Sequence, residues 1–241
     1  MELLKLDETE STNSWVARHA LELPTPVLVW CHTQTAGRGQ RGNSWESEPG
    51  KNITASLLFH PDNYPAIDQF AISEAIAIAI SDFLLSQGVE PKIKWPNDIY
   101  VGDKKICGIL VEHVVTGRNI SRTIAGFGIN INQKEFLSDA PNPVSLSLIT
   151  GKEYSLEECV EKLSGYLVAA LQSLGNKEEL HSSFLSRLWR KDGKCHRFYD
   201  RKNHRPLMGK IMGVRPQGIL EVEDEEGRKE EYAFKEIEFI L

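Results

Sequence analysis

The sequence predicts an α+β (mixed) fold: a central mixed β-sheet with packed helices, followed by a small β-barrel. Three observations predict it. Strand-like runs recur through the first two thirds of the 241 residues. Among them lies one long apolar stretch, Ala66 to Gln87, which is too long for a strand and stops at Gly88, so it reads as a helix despite its isoleucines. From about Asp192 the texture changes to short strand-like runs between Gly and acidic turns, the pattern of a small barrel. The expected division is a first domain over 1–188 and a second over 189–241. A core of about 50 residues is near the lower limit for independent folding, so the second domain is expected to lean on the first.

Composition narrows the function classes. Hydrophobic residues make up 41% and charged residues 26%, ordinary for a globular chain. A net charge of −6 argues against broad nucleic-acid binding, which needs basic surface, but leaves room for a local positive pocket. The four cysteines, Cys31, Cys107, Cys159 and Cys195, are far apart and form no C-x-x-C. No signal peptide is recognisable, so the expected location is cytoplasmic and reducing, with no membrane partner. The histidines form no H-x-x-x-H, so no protein metal site is expected.

Along the chain, Leu3 to Leu6 reads as a short strand. Ser11, Thr12 and Asn13 open a helix that ends before Pro24. Their side chains either cap that helix, the commoner reading, or face a ligand at its N-terminus. Strands follow at about 27–32 and 52–59, then the apolar helix. Lys92 to Val101 alternates like a strand and is broken by Pro96-Asn97-Asp98. Lys105 to Glu112 and Arg122 to Asn132 are further strands; in the second, Gly126 and Gly128 share one face, which allows close approach of a ligand or another backbone. Helices are expected near Ser155–Leu174 and Lys177–Lys191.

The stretch from Thr33 to Trp45 carries Gly37, Gly39 and Gly42 with Arg38 and Arg41, and no apolar side chain between Ala36 and Trp45. Glycines let amides approach a ligand and arginines supply fixed charge, so this is a loop able to close over an anion; a basic surface turn is the alternative. Gly37-Arg38-Gly39-Gln40-Arg41-Gly42 spells G-x-G-x-x-G, but no helix follows it, so the dinucleotide fingerprint is rejected. The kinase reading fails too, for want of V-A-I-K, H-R-D and D-F-G. Lys94 sits on a strand that otherwise reads as buried, and a partly buried lysine needs an anionic partner.

Taken together, Ser11-Thr12-Asn13, Gln34-Thr35-Ala36-Gly37-Arg38-Gly39, Lys94-Trp95-Pro96-Asn97-Asp98, Lys105-x-x-Gly108-Ile109-Leu110-Val111-Glu112 and Gly126-x-Gly128-Ile129-Asn130 resemble the motifs of biotin protein ligases, also called biotin–[acetyl-CoA-carboxylase] ligases. The resemblance covers essentially the whole chain. It implies the biotin/lipoate ligase fold, related to class II aminoacyl-tRNA synthetases, followed by an SH3-like β-barrel. It implies two steps: biotin and ATP, with Mg²⁺, give biotinyl-5′-AMP; biotin then passes to one lysine of a biotin carboxyl carrier protein or domain. It assigns Lys105 to the biotin carboxylate and α-phosphate. Arg38 and Arg41 would hold phosphates, and Lys94 and Asp98 would organise the reacting groups. Ser11, Thr12 and Gln34 would hydrogen-bond biotin's ureido ring, with Asn13, Gly37, Arg38 and Lys105 also at the biotin site, over a wall of Gly108, Leu110, Gly126 and Gly128. Gln40, Asn43, Trp45 and Asn130 fall on the nucleotide side.

The Ser-Thr-Asn motif begins at residue 11, which leaves no room for the DNA-binding helix-turn-helix that some members carry, so no DNA partner is expected. A homodimer is expected by analogy with many relatives. Gln40 departs from the family's commoner Gly-Arg-Gly-Arg-Arg-Gly, whose fourth-place arginine is linked to holding the adenylate; faster release of the intermediate is expected here. The rival readings are a lipoate–protein ligase or octanoyl transferase of the same fold, and a non-catalytic interaction protein.

Overall fold

The computed structural model describes residues 1–138 and 142–241, the Arg41 side chain excepted. The larger sheet contains β1 (Glu2–Thr9), β2 (Val27–Gln34), β3 (Ile53–Phe59), β4 (Tyr64–Pro65), β5 (Pro91–Lys94), β6 (Asp98–Val101), β7 (Lys104–Thr116) and β8 (Asn119–Ile129). Its order is β1-β2-β3-β8-β7-β6-β5, with β4 added beside β8. Only β1–β2 is parallel, because α1 (Thr12–His19) lies between them and carries the chain back; every other pair is antiparallel. The sheet is mixed, as expected.

All seven residues of β3 are buried, the pattern of a central strand covered on both faces. One face packs on α2 (Gln69–Ser86), where Ile72, Ile76, Ile80 and Phe83 are fully inaccessible. Ala66–Ser86 has the length and hydropathy of a membrane span, yet its position is that of the core helix. α4 (Leu156–Ser173) and α5 (Lys177–Ser186) continue that layer. On the opposite face α1 places Val16 against Val27, Val29, Leu58 and Ile124. At eight residues α1 covers only part of that face. The uncovered part holds the candidate site.

Several elements differ from the sequence expectation. Tyr64-Pro65 lies on β8 rather than in a plain turn. The break expected at Pro96-Asn97-Asp98 is present, by contrast: β5 and β6 on its two sides form a hairpin that bends at Pro96-Asn97. α5 stops at Ser186, short of Lys191, because residues 187–189 serve the open edge of β5: Ile93 N donates to Arg187 O at 2.8 Å and Trp189 N to Ile93 O at 2.9 Å. A helix unforeseen in the sequence, α3 (Leu146–Thr150), is a single turn, too short to show a period; Ser145 caps it and Gly151 ends it at φ 72°.

The second sheet comprises β9 (His196–Asp200), β10 (Arg205–Val214), β11 (Leu220–Asp224), β12 (Lys229–Tyr232) and β13 (Ile237–Phe239), ordered β12-β11-β10-β9-β13. The last strand returns to pair with the first, the order of a small SH3-like barrel. Phe198, Ile211, Val222 and Tyr232 form its interior. It leans on the larger sheet: Trp95 Nε1 donates to Gly218 O at 3.0 Å, and Trp189 meets Phe239 with ring centroids 5.9 Å apart.

Candidate active site

Register builds the floor of the site. Asp98 pairs with Gly108, Gly108 with Gly128 and Gly128 with Thr54, so these four form one row across β6, β7, β8 and β3. The neighbouring row is Leu110–Gly126–Ser56. Side chains alternate faces along a strand, so Gly126 and Gly128 both look away from α2, toward the part of the face α1 leaves open. Over this floor lies a cavity of about 1260 Å³. It is lined by Ser11, Thr12, Asn13, Gln34, Arg38, Gln40, Asn43, Trp45, Lys94, Asp98, Lys105, Gly108, Leu110, Gly126, Gly128 and Asn130. The structure therefore brings nearly all of the sequence-predicted residues to one place. Gly37 is the exception among described ones. It lies outside the lining, its O accepting from Trp45 N at 2.9 Å, and a Cβ there would strike the Trp45 carbonyl and the Gln34 side chain. The nucleotide role expected of Arg41 falls on a side chain outside the described residues.

The polar end of the cavity is a hydrogen-bond chain. Ser11 is buried and makes no side-chain cap bond, so the capping expectation fails for it. Gln34 Oε1 accepts from Thr12 N at 2.9 Å. The Ser56 hydroxyl lies 2.8 Å from Thr12 Oγ1 and 2.5 Å from Asn13 Oδ1. Asn13 Nδ2 donates to Leu110 O at 3.2 Å and to Glu112 at 2.8 Å. Asn13 thus has both ends engaged by protein and braces α1 onto β7. A Cβ on Gly126 would meet the Asn13 amide, so this glycine makes room for Asn13 while also lining the cavity. Gly108 and Gly128 are instead covered by the Trp45 indole; a Cβ on Gly108 would stand 2.9 Å from it.

At the other end Lys105 Nζ pairs with Asp98 at 2.8 Å and stands 5.6 Å from the Trp45 ring centroid. Lys94 Nζ lies 5.3 Å from the Tyr100 ring and 5.0 Å from the Phe239 ring. Burial pushes the Lys94 ammonium below its ordinary pKa, the Asp98 carboxylate pushes back, and Lys105 and Arg190 add to the lowering. Arg38 reaches Glu112 at 2.7 Å. Glu46 accepts from the amides of Leu137 and Ser138, at 2.9 and 2.7 Å, and ties the Gly/Arg loop to the segment after β8. Gln40 Oε1, Trp45 Nε1 and Asn130 Oδ1 are buried without a hydrogen-bond partner. Buried orphans of this kind are costly, and they suit a site that gains partners from a polar ligand.

Sequence reasoning missed the wall opposite the floor. Arg201, Phe234, Ile237, Glu238 and Phe239, from the second sheet, line the same cavity. The one signal was the expectation that the small domain leans on the large one. Glu46 was missed as well, and Glu112, though it ends one of the quoted motifs, was given no role, since each acts through main-chain or side-chain partners far away in the chain.

The pattern of residues 4–130 matches the biotin/lipoate A/B protein ligase family. A bifunctional ligase/repressor BirA of Salmonella typhimurium is 30% identical over 223 residues, covering 90% of this chain and 68% of the relative. A biotin–[acetyl-CoA-carboxylase] ligase of Paracoccus denitrificans is 31% identical over 166 residues, covering 66% of this chain and 68% of that one. Against the ligase/repressor of Bacillus spizizenii the chain spans 65% of the relative's length. A biotin protein ligase of Aquifex aeolicus, solved with biotin and ATP, superposes with a TM-score of 0.80 over 99% of this chain and 98% of that one; at 24% identity this speaks for the fold. On its family pattern and these relatives, the chain belongs to the biotin/lipoate A/B protein ligase family.

Proposed function

We propose that this protein is an ATP-dependent biotin–protein ligase that activates biotin as biotinyl-5′-AMP and transfers it to a lysine of a biotin carboxyl carrier protein. The observation that carries this reading is the single cavity in which the glycine floor, the Gly/Arg loop and the Lys105–Asp98 pair converge. Biotin–protein ligase names also recur among the relatives.

Activation joins two anions, a carboxylate and the α-phosphate, so the residues must supply positive charge and donors where charge develops. Lys105 does this at the floor and Arg38 at the loop. Asp98 holds the Lys105 ammonium in one orientation before ligand arrives. Thr12, Gln34 and Ser56 present a preformed polar chain for the ureido end. Trp45 covers the floor and excludes water, which matters because a mixed anhydride is readily hydrolysed. For transfer the acceptor lysine must attack as the neutral amine, and Asp98 would serve as the base that takes its proton. Among the described residues no three His, Cys, Asp or Glu are grouped to hold a metal ion, so Mg²⁺ would enter on the nucleotide's phosphates.

ATP–pyrophosphate exchange with biotin, lipoate and octanoate offered in turn tests the reading. Exchange should depend on biotin; dependence on lipoate or octanoate, or no exchange, overturns it. Asp98→Asn should slow transfer from preformed adenylate more than adenylate formation. Gln40→Arg should slow release of biotinyl-5′-AMP, since a fixed cation would replace the neutral amide; equal or faster release from the variant defeats that expectation.

A further inference from the structure

Glu112 ends the Lys105-x-x-Gly108-Ile109-Leu110-Val111-Glu112 stretch and has no part in the chemistry above. It stands on β7, opposite Ile124 of β8, at the rim of the floor. Its two oxygens have different partners. One accepts from Asn13 Nδ2 at 2.8 Å. The other accepts from Arg38 Nη2 at 2.7 Å, while Arg38 Nη1 donates to Ser14 Oγ at 3.2 Å. Asn13 is itself buried and fixed by Leu110 O and the Ser56 hydroxyl.

We propose that Glu112 is a positioning residue: it presents the loop's Arg38 guanidinium to the cavity in the orientation that nucleotide phosphates require. The proposal rests on reading the cavity as a nucleotide site. A free surface ion pair between two long side chains orders little, because both partners wander. Here the carboxylate is pinned by the rigid strand on one side and by a buried amide on the other. Only the arginine has freedom to lose, and it loses it before ligand arrives. A guanidinium carries five N–H donors in a fixed plane, so those not used by Glu112 and Ser14 remain for a second anion. Pre-ordering the loop arginine lowers the ordering cost that nucleotide binding would otherwise carry.

A double-mutant cycle on ATP affinity, measured by calorimetry, tests this. Glu112→Gln should weaken ATP binding about fivefold to tenfold and change biotin affinity less than about twofold, the size expected when one charge-assisted hydrogen bond is lost. In an Arg38→Ala background the same substitution should change ATP affinity less than about twofold. Equal weakening in both backgrounds would overturn the proposal, because Glu112 would then act through the fold. Tighter ATP binding by Glu112→Gln would overturn it too, because the carboxylate would be competing with phosphate. A wild-type protein that binds no ATP refutes the nucleotide reading instead. The Arg38 Nε–Hε signal in NMR tests the positioning in either case: it should be ordered in wild type and averaged in Glu112→Gln, and an unchanged signal sinks the proposal.

Discussion

The floor of the cavity and the wall facing it are built by opposite means. The floor is strand backbone: Gly108 and Gly128 in register, with Lys105 and Asp98 beside them on the same strands or the next. Its other face is backed by α2, whose Ile72, Ile76, Ile80 and Phe83 are wholly inaccessible. The wall comes from β13 and the residues before it, in a small sheet whose outside is laced with ion pairs such as Arg215–Glu231 and Arg228–Glu226. Exposed pairs of this kind contribute little each, so the small sheet keeps its place through aromatic contacts to the larger one. Under the proposed function, the contrast teaches that chemistry sits on the part held by burial, while the part held by contacts adjusts it.

Substitutions at four positions bear on that contrast, and the largest effect belongs to the floor. Lys105→Ala should lower the single-turnover rate of adenylate formation about 10²- to 10³-fold, the loss seen when one preorganised donor at a transition state is removed. A loss under about tenfold would move the chemistry off the floor.

Behind the floor, Glu74 of α2 is buried and pairs with His181 of α5 at 2.6 Å. Burial pushes its carboxyl up to about 7 from an ordinary 4.5, partly offset by the hydrogen bond and charge of His181. The native state therefore holds a proton that the unfolded chain has released between those two values. Stability should be fullest below pH 4.5 as far as this group is concerned, and fall as the pH rises through about 7. Glu74→Gln should abolish that fall, on the order of 2 kcal/mol, in urea midpoints measured from acid to pH 8. An unchanged slope would show that another group governs it.

A smaller effect is expected of Gly128→Ala. Its Cβ would collide with the Trp45 indole on the floor. The affinity for biotin or ATP should fall about tenfold, with a loss of stability of only about 1 kcal/mol. If stability collapses while affinity holds, the glycine serves packing alone.

The smallest effect should come from the wall. Phe239 stands over Lys94 and packs on Trp189 and Phe198. Phe239→Leu fills similar space but lacks the ring face, and should lower kcat about threefold; Phe239→Tyr should restore it. Equal losses in both variants would reduce the wall to a spacer.

The floor was legible in the sequence because its residues are local and unusual. Alternate glycines on a strand, a lysine three residues before one of them and a Lys-Trp-Pro-Asn-Asp bend all stand out at short range. The wall was not legible. Phe234, Ile237 and Phe239 read as ordinary alternation in a small barrel, and nothing near them in the chain marks them as facing Lys94. Asn13 and Gly126 were each legible as site residues but not as partners, since their contact exists only once α1 lies on β8. The shortened α5 was missed for a related reason: the period that predicted helix to Lys191 carries no information about the unpaired edge of β5, which draws residues 187–189 out of it.

By itself the sequence determined the α+β class, the core helix, the loop of glycines and arginines, and the residue types that can handle two anions. These follow from local periodicity and from chemistry carried by single side chains. Only the tertiary structure decided that Trp45 covers the floor, that Asn13 fills the space above Gly126, that Glu112 holds Arg38, and that the second sheet closes the cavity. Each of these is a contact between segments far apart in the chain, set by strand register and packing rather than by any local pattern.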